Sequence, residues 1–288
     1  MGRFEYVRPS TVQETCAHLA EHGEKSAVLA GGQSLLPDLR QGEARVDCVV
    51  DINDLDGHDY VTRSDGAIEI GCLARYRDIL ASSAVANDCT VLRDAVEGIG
   101  DVQVRNRGTV CGSLSQAEPA GDPPVVVTAL DADLVVASAD GTRTVDGRSF
   151  VTGVSETVLA DDELVTRIEF PIIEPPYGGA YETYEPAGVA FPVASVAAVV
   201  GLDEGTIADA TVVTGAVEGK PSLIEEAASV LDGEEPTDDV LETAAGRVRE
   251  AVSPVEDAEG SASFKREICR TLSYRALEIA VERARGGA

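Results

Sequence analysis

The sequence predicts an α+β protein in two parts, the first of them two-lobed, and three observations carry that expectation. Its 288 residues exceed one typical domain. A segment rich in turn residues, PIIEPPYGG at 171–179, breaks the run of strand-like and helix-like stretches and supplies the dividing point. The texture also differs on its two sides: short strands and helices come before it, and a long hairpin followed by three helical segments comes after it. The expected parts are 1–172, with lobes of about 1–55 and 56–172, and a smaller α+β part at 178–288.

The first helix is expected from Thr11 to His22, with Ser10 as N-cap, Gln13 as its capping-box partner and Gly23 as the stop; Val12, Cys16 and Leu19 then share one face. AVLAGG reads as a short buried strand ending in a glycine turn, and VDCVVDI at 46–52 as a second strand, which together make a small α/β lobe. From Tyr60, AIEIG is strand-like, while RYRDILAS and NDCTVLRDAVEGIG are helical. PPVVVTALDA opens a helix with proline in its first turn. DLVVASADGTRTV is a hairpin turning at Asp140-Gly141, and ELVTRIEFP is a strand that stops at Pro171. Beyond the divide, PVASVAAVVGLDEGTIADATVVTGAV reads as two long strands joined at Asp203-Glu204-Gly205. Helical segments are expected at 221–232, 237–252 and 261–285.

Composition narrows the function classes. Asp and Glu number 51 against 23 Lys and Arg, a formal net charge of -28, and lysine occurs only at Lys25, Lys220 and Lys265. A surface so acidic and lysine-poor suits a high-salt cytoplasm, where at ~1 M salt the Debye length falls to about 3 Å and self-repulsion is screened; an ordinary acidic protein kept soluble by its charge is the alternative. Neither version suits nucleic acid or anionic lipid, since no basic patch exists to hold phosphates over a wide area. Cys16, Cys48, Cys72, Cys89, Cys111 and Cys269 are scattered, with no C-x-x-C pair and no signal peptide ahead of them, so free thiols in a reducing cytoplasm are expected and a cluster or structural zinc within the chain is not. No apolar run approaches the ~20 residues needed to span a bilayer, and no membrane role is expected.

Two motifs have dull explanations. HLAEH at 18–22 matches the H-x-x-E-H pattern of some zinc peptidases, but on the helix just placed His18 and His22 fall away from Val12 and Leu19, where a polar exposed face is the simpler reading. GAVEGKPS at 215–222 has one residue too few between its glycines for a phosphate-binding loop of the Walker type, and proline stands where Ser or Thr would hold magnesium. No G-x-G-x-x-G follows a strand.

Two loops remain. In AGGQSLLP, Gly31 and Gly32 follow a strand and precede Ser34, which could cap a turn containing Leu35, Leu36 and Pro37; amides at such a turn make an anion site, although a lone glycine pair is more simply a tight turn. In RNRGTVCGSLSQAEPAGDPP, residues 105–124, Gly108 and Gly112 let backbone approach a ligand, Thr109 and Ser113 offer hydroxyls, and Asp122 can accept from a chain of hydroxyls. Together they suit a ligand with a diphosphate and a polyol.

These two loops resemble the motifs of the FAD-binding medium subunit of the molybdenum hydroxylases, the family of xanthine dehydrogenase and aerobic carbon monoxide dehydrogenase. AGGQSLLPDLR is similar to A-G-G-x-S/D-L-L-P-x-L/M-K/R, and RNRGTVCGSLSQAEPAGDPP to R-N-x-G-T-I/V-G-G-N-L-x-x-A-x-P-x-x-D-x-P. FEYVRPSTVQET, VVDINDLD, LVTRIEFP and GSASFKREICRTLSYRAL extend the resemblance over most of the chain. It implies a two-lobed FAD-binding domain of the vanillyl-alcohol-oxidase (PCMH) type followed by an α+β domain. It implies further that Gly31, Gly32, Gln33, Ser34 and Leu35 line one side of the FAD diphosphate, that Thr109, Cys111, Gly112 and Ser113 line the other, and that Asp122 contacts the ribityl chain.

In two places the chain departs from the family pattern. Cys111 replaces the first glycine of a Gly-Gly pair, where a positive φ would be strained, and Ser113 replaces asparagine with a shorter reach. A basic stretch that the family often carries near the flavin is replaced by YETYEPAGVAFPVAS, leaving Tyr184 as a weak flavin neighbour. The implied role is electron transfer without a catalytic side chain. A molybdenum-cofactor large subunit would oxidise the substrate, a 2Fe-2S small subunit would conduct single electrons, and this chain's FAD would deliver them to an acceptor, in an assembly expected to be a dimer of heterotrimers. A scaffold subunit that has lost FAD and a free-standing flavin reductase are the alternatives.

Overall fold

The computed structural model describes residues 4–174, 176–186 and 191–286. Three large sheets organise them, beside a small two-stranded one of Val151–Gly153 and Glu156–Thr157. The first lobe is a parallel sheet in which Cys48–Asp51 lies between Glu5–Val7 and Ser26–Leu29, with the helix Val12–His22 packed on it. The helix is capped by Thr11, one residue later than expected: Thr11 Oγ1 accepts from the Glu14 amide at 3.1 Å, and the Glu14 carboxylate accepts from the Ser10 amide at 2.8 Å. With Thr11 as N-cap, Glu14 stands at N3, and its carboxylate, reaching back to Ser10, is a stronger acceptor than the Gln13 amide. Gly23 ends the helix as expected, and Cys16 and Leu19 are buried.

The second lobe is built on a five-stranded antiparallel sheet in the order Val61–Ser64, Ala67–Gly71, Leu164–Pro171, Asp133–Ser138, Gly141–Asp146. Its inward residues Ile68, Ile70, Leu134, Ile168 and Phe170 are fully buried, each worth roughly 1.5–3 kcal/mol of burial. Against this core lies the helix Asp122–Leu130, opened by Pro123 and Pro124 and buried along its whole length.

The third sheet orders Tyr177–Tyr184, Ala194–Asp203, Thr206–Gly215 and Ser222–Leu223. Both of its faces are covered, which explains the unbroken run of small apolar residues in PVASVAAVV. Val196, Ala198 and Val200 face the long helix Ala262–Ala284, while Ala197, Val199 and Val213 join the core of the first part. Tyr177–Tyr184 is a full edge strand whose first residues lie in the segment expected to be a connector. The helix expected at 221–232 begins only at Glu225, because Ser222 and Leu223 pair with Thr214 and Val213. Arg283 fastens the third sheet to the helix Thr90–Gly98 by binding Asp94 and the Gly179 carbonyl. No helix among the described residues is long and apolar enough to cross a membrane.

Candidate functional site

The glycine turn after Ser26–Leu29 leads into the helix Leu35–Gln41, which ends on Gly42 in the left-handed region. Gly32 has φ +71, a conformation that side chains other than glycine rarely adopt. A Cβ at Gly31 would lie 2.2 Å from the Arg107 carbonyl oxygen and 2.9 Å from Gly108 Cα, so the two sequence loops meet backbone to backbone. Among the described residues, the amides of Gly31, Gly32, Gln33 and Ser34 donate to no protein acceptor. A run of free amides is a ready anion site.

The second loop is largely helical. Thr109 is extended and its Oγ1 accepts from the Gly112 amide at 3.1 Å, starting the helix Val110–Gln116, which stops at Ala117 with φ 49. Gly112 is small for an internal reason, since a Cβ there would sit 2.7 Å from Thr109 Oγ1. Cys111 lies in the first turn of this helix, buried, and is absent from the described non-glycine residues with positive φ. The strain that its replacement of glycine suggested is therefore not present. Burial pushes the Cys111 thiol well up and that of nearby Cys72 up to about 12, so both remain protonated thiols. Neither arginine of the loop lines the cleft: Arg105 binds the Ile99 and Gly100 carbonyls at 2.8 and 2.9 Å, and the Arg107 side chain is exposed.

A polar chain that sequence reasoning did not single out ties the loops together. Asn53 Nδ2 donates to the Ala30 carbonyl at 2.9 Å, Arg75 donates to Asn53 Oδ1, and Arg75 also donates to the Arg107 carbonyl at 2.7 Å. Asn53 lies in VVDINDLD, one of the stretches that carried the resemblance, so its position in the sequence was visible even though its partners were not.

All the predicted residues line one cleft of about 900 Å³, near the upper end of the range for ligand pockets: Gly31, Gly32, Gln33, Ser34 and Leu35 from the first loop, Thr109, Cys111, Gly112 and Ser113 from the second, and Asp122 from the following helix. Val28, Ile52 and Val165 give it apolar walls. Its charged residues are all acidic: Asp38, Asp101, Glu118, Asp122, Glu163 and Glu185, with no lysine or arginine among the described lining residues. Asp122 is 9% exposed, and burial raises its carboxyl to about 6. The buried Tyr181 hydroxyl donates to Asp122 Oδ1 at 2.7 Å, and Oδ2 has no protein partner among the described residues.

Tyr184 does not line the cleft; its ring packs edge-on against Phe264, with centroids 5.9 Å apart. Glu185, Phe191 and Pro192 line it from the same segment instead, and residues 187–190 lie outside the described residues. The H-x-x-E-H triplet lies outside the cleft lining, on the first helix, where ligand atoms of His18, Glu21 and His22 come within 4.8 Å of one another.

The cleft fits FAD by its donor set. It offers a row of unpaired amides for a diphosphate, a half-free buried carboxylate for polyol hydroxyls, and apolar walls for a ring system.

Comparison with known proteins agrees. Residues 2–173 match the family described as FAD binding domain in molybdopterin dehydrogenase, and residues 179–280 match the CO dehydrogenase flavoprotein C-terminal domain. The glyceraldehyde dehydrogenase medium chain of Sulfolobus acidocaldarius is 36% identical, covering 96% of this chain and 97% of its own. The carbon monoxide dehydrogenase medium chain of Hydrogenophaga pseudoflava is 30% identical, covering 96% and 97%. A solved structure of carbon monoxide dehydrogenase from Hydrogenophaga pseudoflava superposes with a TM-score of 0.94 at 30% identity over 98% of both chains, and quinoline 2-oxidoreductase from Pseudomonas putida 86 with 0.92 at 27% over 98% of both. The chain belongs to the FAD-binding medium-subunit family of the molybdenum hydroxylases, and its cofactor is FAD.

Proposed function

We propose that this subunit carries electrons from the 2Fe-2S clusters of a partner small subunit, through FAD, to an external acceptor, while a molybdenum-cofactor large subunit oxidises the substrate. In this reading the diphosphate lies on the amides of Gly31–Ser34 and against Thr109, Cys111, Gly112 and Ser113, and Asp122 Oδ2 takes a ribityl hydroxyl. The convergence of unpaired amides and one half-free carboxylate on a single cleft supports it. When bound, FAD supplies the pairing of single electrons, which no side chain of the cleft can do. The protein's own residues position and enclose it. Asn53 and Arg75 fix the two loops against each other, and Val28, Ile52 and Val165 keep water from one wall.

The same reading assigns 1–172 to FAD binding and 178–288 to the second domain, and it places the chain in a cytoplasmic dimer of heterotrimers. The net charge of -28 with three lysines supports a high-salt cytoplasm. The test is anaerobic mixing of the FAD-loaded chain with a reduced 2Fe-2S small subunit. Bleaching of the flavin, followed by recovery on adding acceptor, is expected. A flavin that stays oxidised beside the reduced partner contradicts the proposal.

A further inference from the structure

Tyr181 belongs to the third sheet, 59 residues along the chain from Asp122, yet its hydroxyl sits 2.7 Å from Asp122 Oδ1 with both side chains buried. The surroundings leave Asp122 little other help. Glu185, from the segment after the Tyr181 strand, adds a like charge; Tyr76, from the helix Tyr76–Ala81, faces it as a buried neutral phenol; and Ser195, also buried, faces the phenol oxygen of Tyr181 rather than the carboxylate. No lysine or arginine lines the cleft among the described residues. Among the described residues, one hydroxyl from the second part of the chain is thus the sole side-chain donor to the carboxylate that the first part presents to the cleft.

We propose that Tyr181 is a positioning residue of the FAD site: by occupying Oδ1 it fixes the Asp122 carboxyl and leaves Oδ2 for the cleft, so that cofactor retention depends on how the third sheet is seated. This rests on the reading of Asp122 as a ribityl contact. A charged acceptor holds a hydroxyl about twice as strongly as a neutral one, so protonation of Asp122 weakens the grip on the polyol. Removing the Tyr181 hydroxyl takes away a bond that favours the ionised form, and the loss then begins at higher pH.

The experiment is FAD titration of the apoprotein by flavin fluorescence, at pH values from below to well above the Asp122 midpoint of about 6. The parent, Tyr181→Phe, Asp122→Asn and the double variant are compared, with circular dichroism to show that each is folded. Parent affinity should be constant above the midpoint and fall below it. Tyr181→Phe should bind about tenfold more weakly at neutral pH, with its fall moved to higher pH. Asp122→Asn should show no step, and adding Tyr181→Phe to it should change little, because both substitutions remove one coupled interaction. A parent-like pH profile in Tyr181→Phe, or additive losses in the double variant, would overturn the proposal while leaving the FAD site intact. A parent that binds no FAD would overturn both.

Discussion

Gly31 and Arg107 touch: a Cβ on the glycine would stand 2.2 Å from the arginine's carbonyl oxygen, closer than real Cβ contacts come. The two glycine loops, at 30–37 and 105–124 in the chain, are therefore one packed unit before any cofactor arrives. The glycine is first a requirement of the fold. Gly32, with its positive φ and neighbouring leucines, and Gly112, against Thr109, have internal reasons of the same kind.

Gly31→Ala should accordingly destabilise the apoprotein, by about 1–3 kcal/mol for an overpacked contact with backbone, and should also lower FAD affinity. Thermal unfolding of the apoprotein checks the first part. An unchanged melting temperature would show that the loops move apart at no cost.

Cys111→Gly restores the family residue, but Cys111 is a buried helical residue and not a strained one. Glycine in its place should cost about 1 kcal/mol of stability and leave FAD affinity unchanged. A variant that gains both stability and affinity would contradict the helical geometry found here.

The acidic cleft makes salt a second variable. In the proposed seating, a diphosphate entering among Asp38, Asp101, Glu118 and Glu185 meets like charge, and the Gly31–Ser34 amides carry no net charge in return. Both fold stability and FAD affinity should rise from low to molar KCl as repulsion is screened. Affinity that falls with salt would mean that a basic group attracts the cofactor.

Asp122 gives a pH dependence of definite sign. Its folded value is raised from 3.8 to about 6, so its contribution to stability is full below the unfolded value and is lost as pH rises through 6. The charged form costs the apoprotein about 3 kcal/mol relative to the neutral form, on a scale of 1.36 kcal/mol per unit. Asp122→Asn should match the parent in stability at acid pH, exceed it at neutral pH, and bind FAD less well. Equal stability of the two at every pH would show that the burial of Asp122 carries no such cost.

Much of this was legible in the sequence, for reasons that particular residues show. The paired turn signals Gly23 and Asp140-Gly141 marked real element ends, and the two glycine loops pointed to residues that share one cleft. Local pattern could not reveal that Tyr181 reaches Asp122 or that Arg75 bridges Asn53 to Arg107, since those are long-range pairings of ordinary polar residues. It also misjudged the backbone of Cys111, because a seven-residue helix follows Thr109 where a loop was expected. The strand Tyr177–Tyr184 was missed because YGG reads as turn chemistry.

The proposed seat of FAD is the Gly31–Ser34 amides, and amide hydrogen exchange with and without FAD tests it without altering a residue. In the apoprotein these amides have no protein acceptor among the described residues and should exchange rapidly. Saturating FAD should slow exchange in the peptide covering Gly31–Ser34 and in the peptide covering Thr109–Ser113, with little change on the helix Ala262–Ala284. Protection that appears elsewhere while the Gly31–Ser34 amides stay fast would contradict that seating.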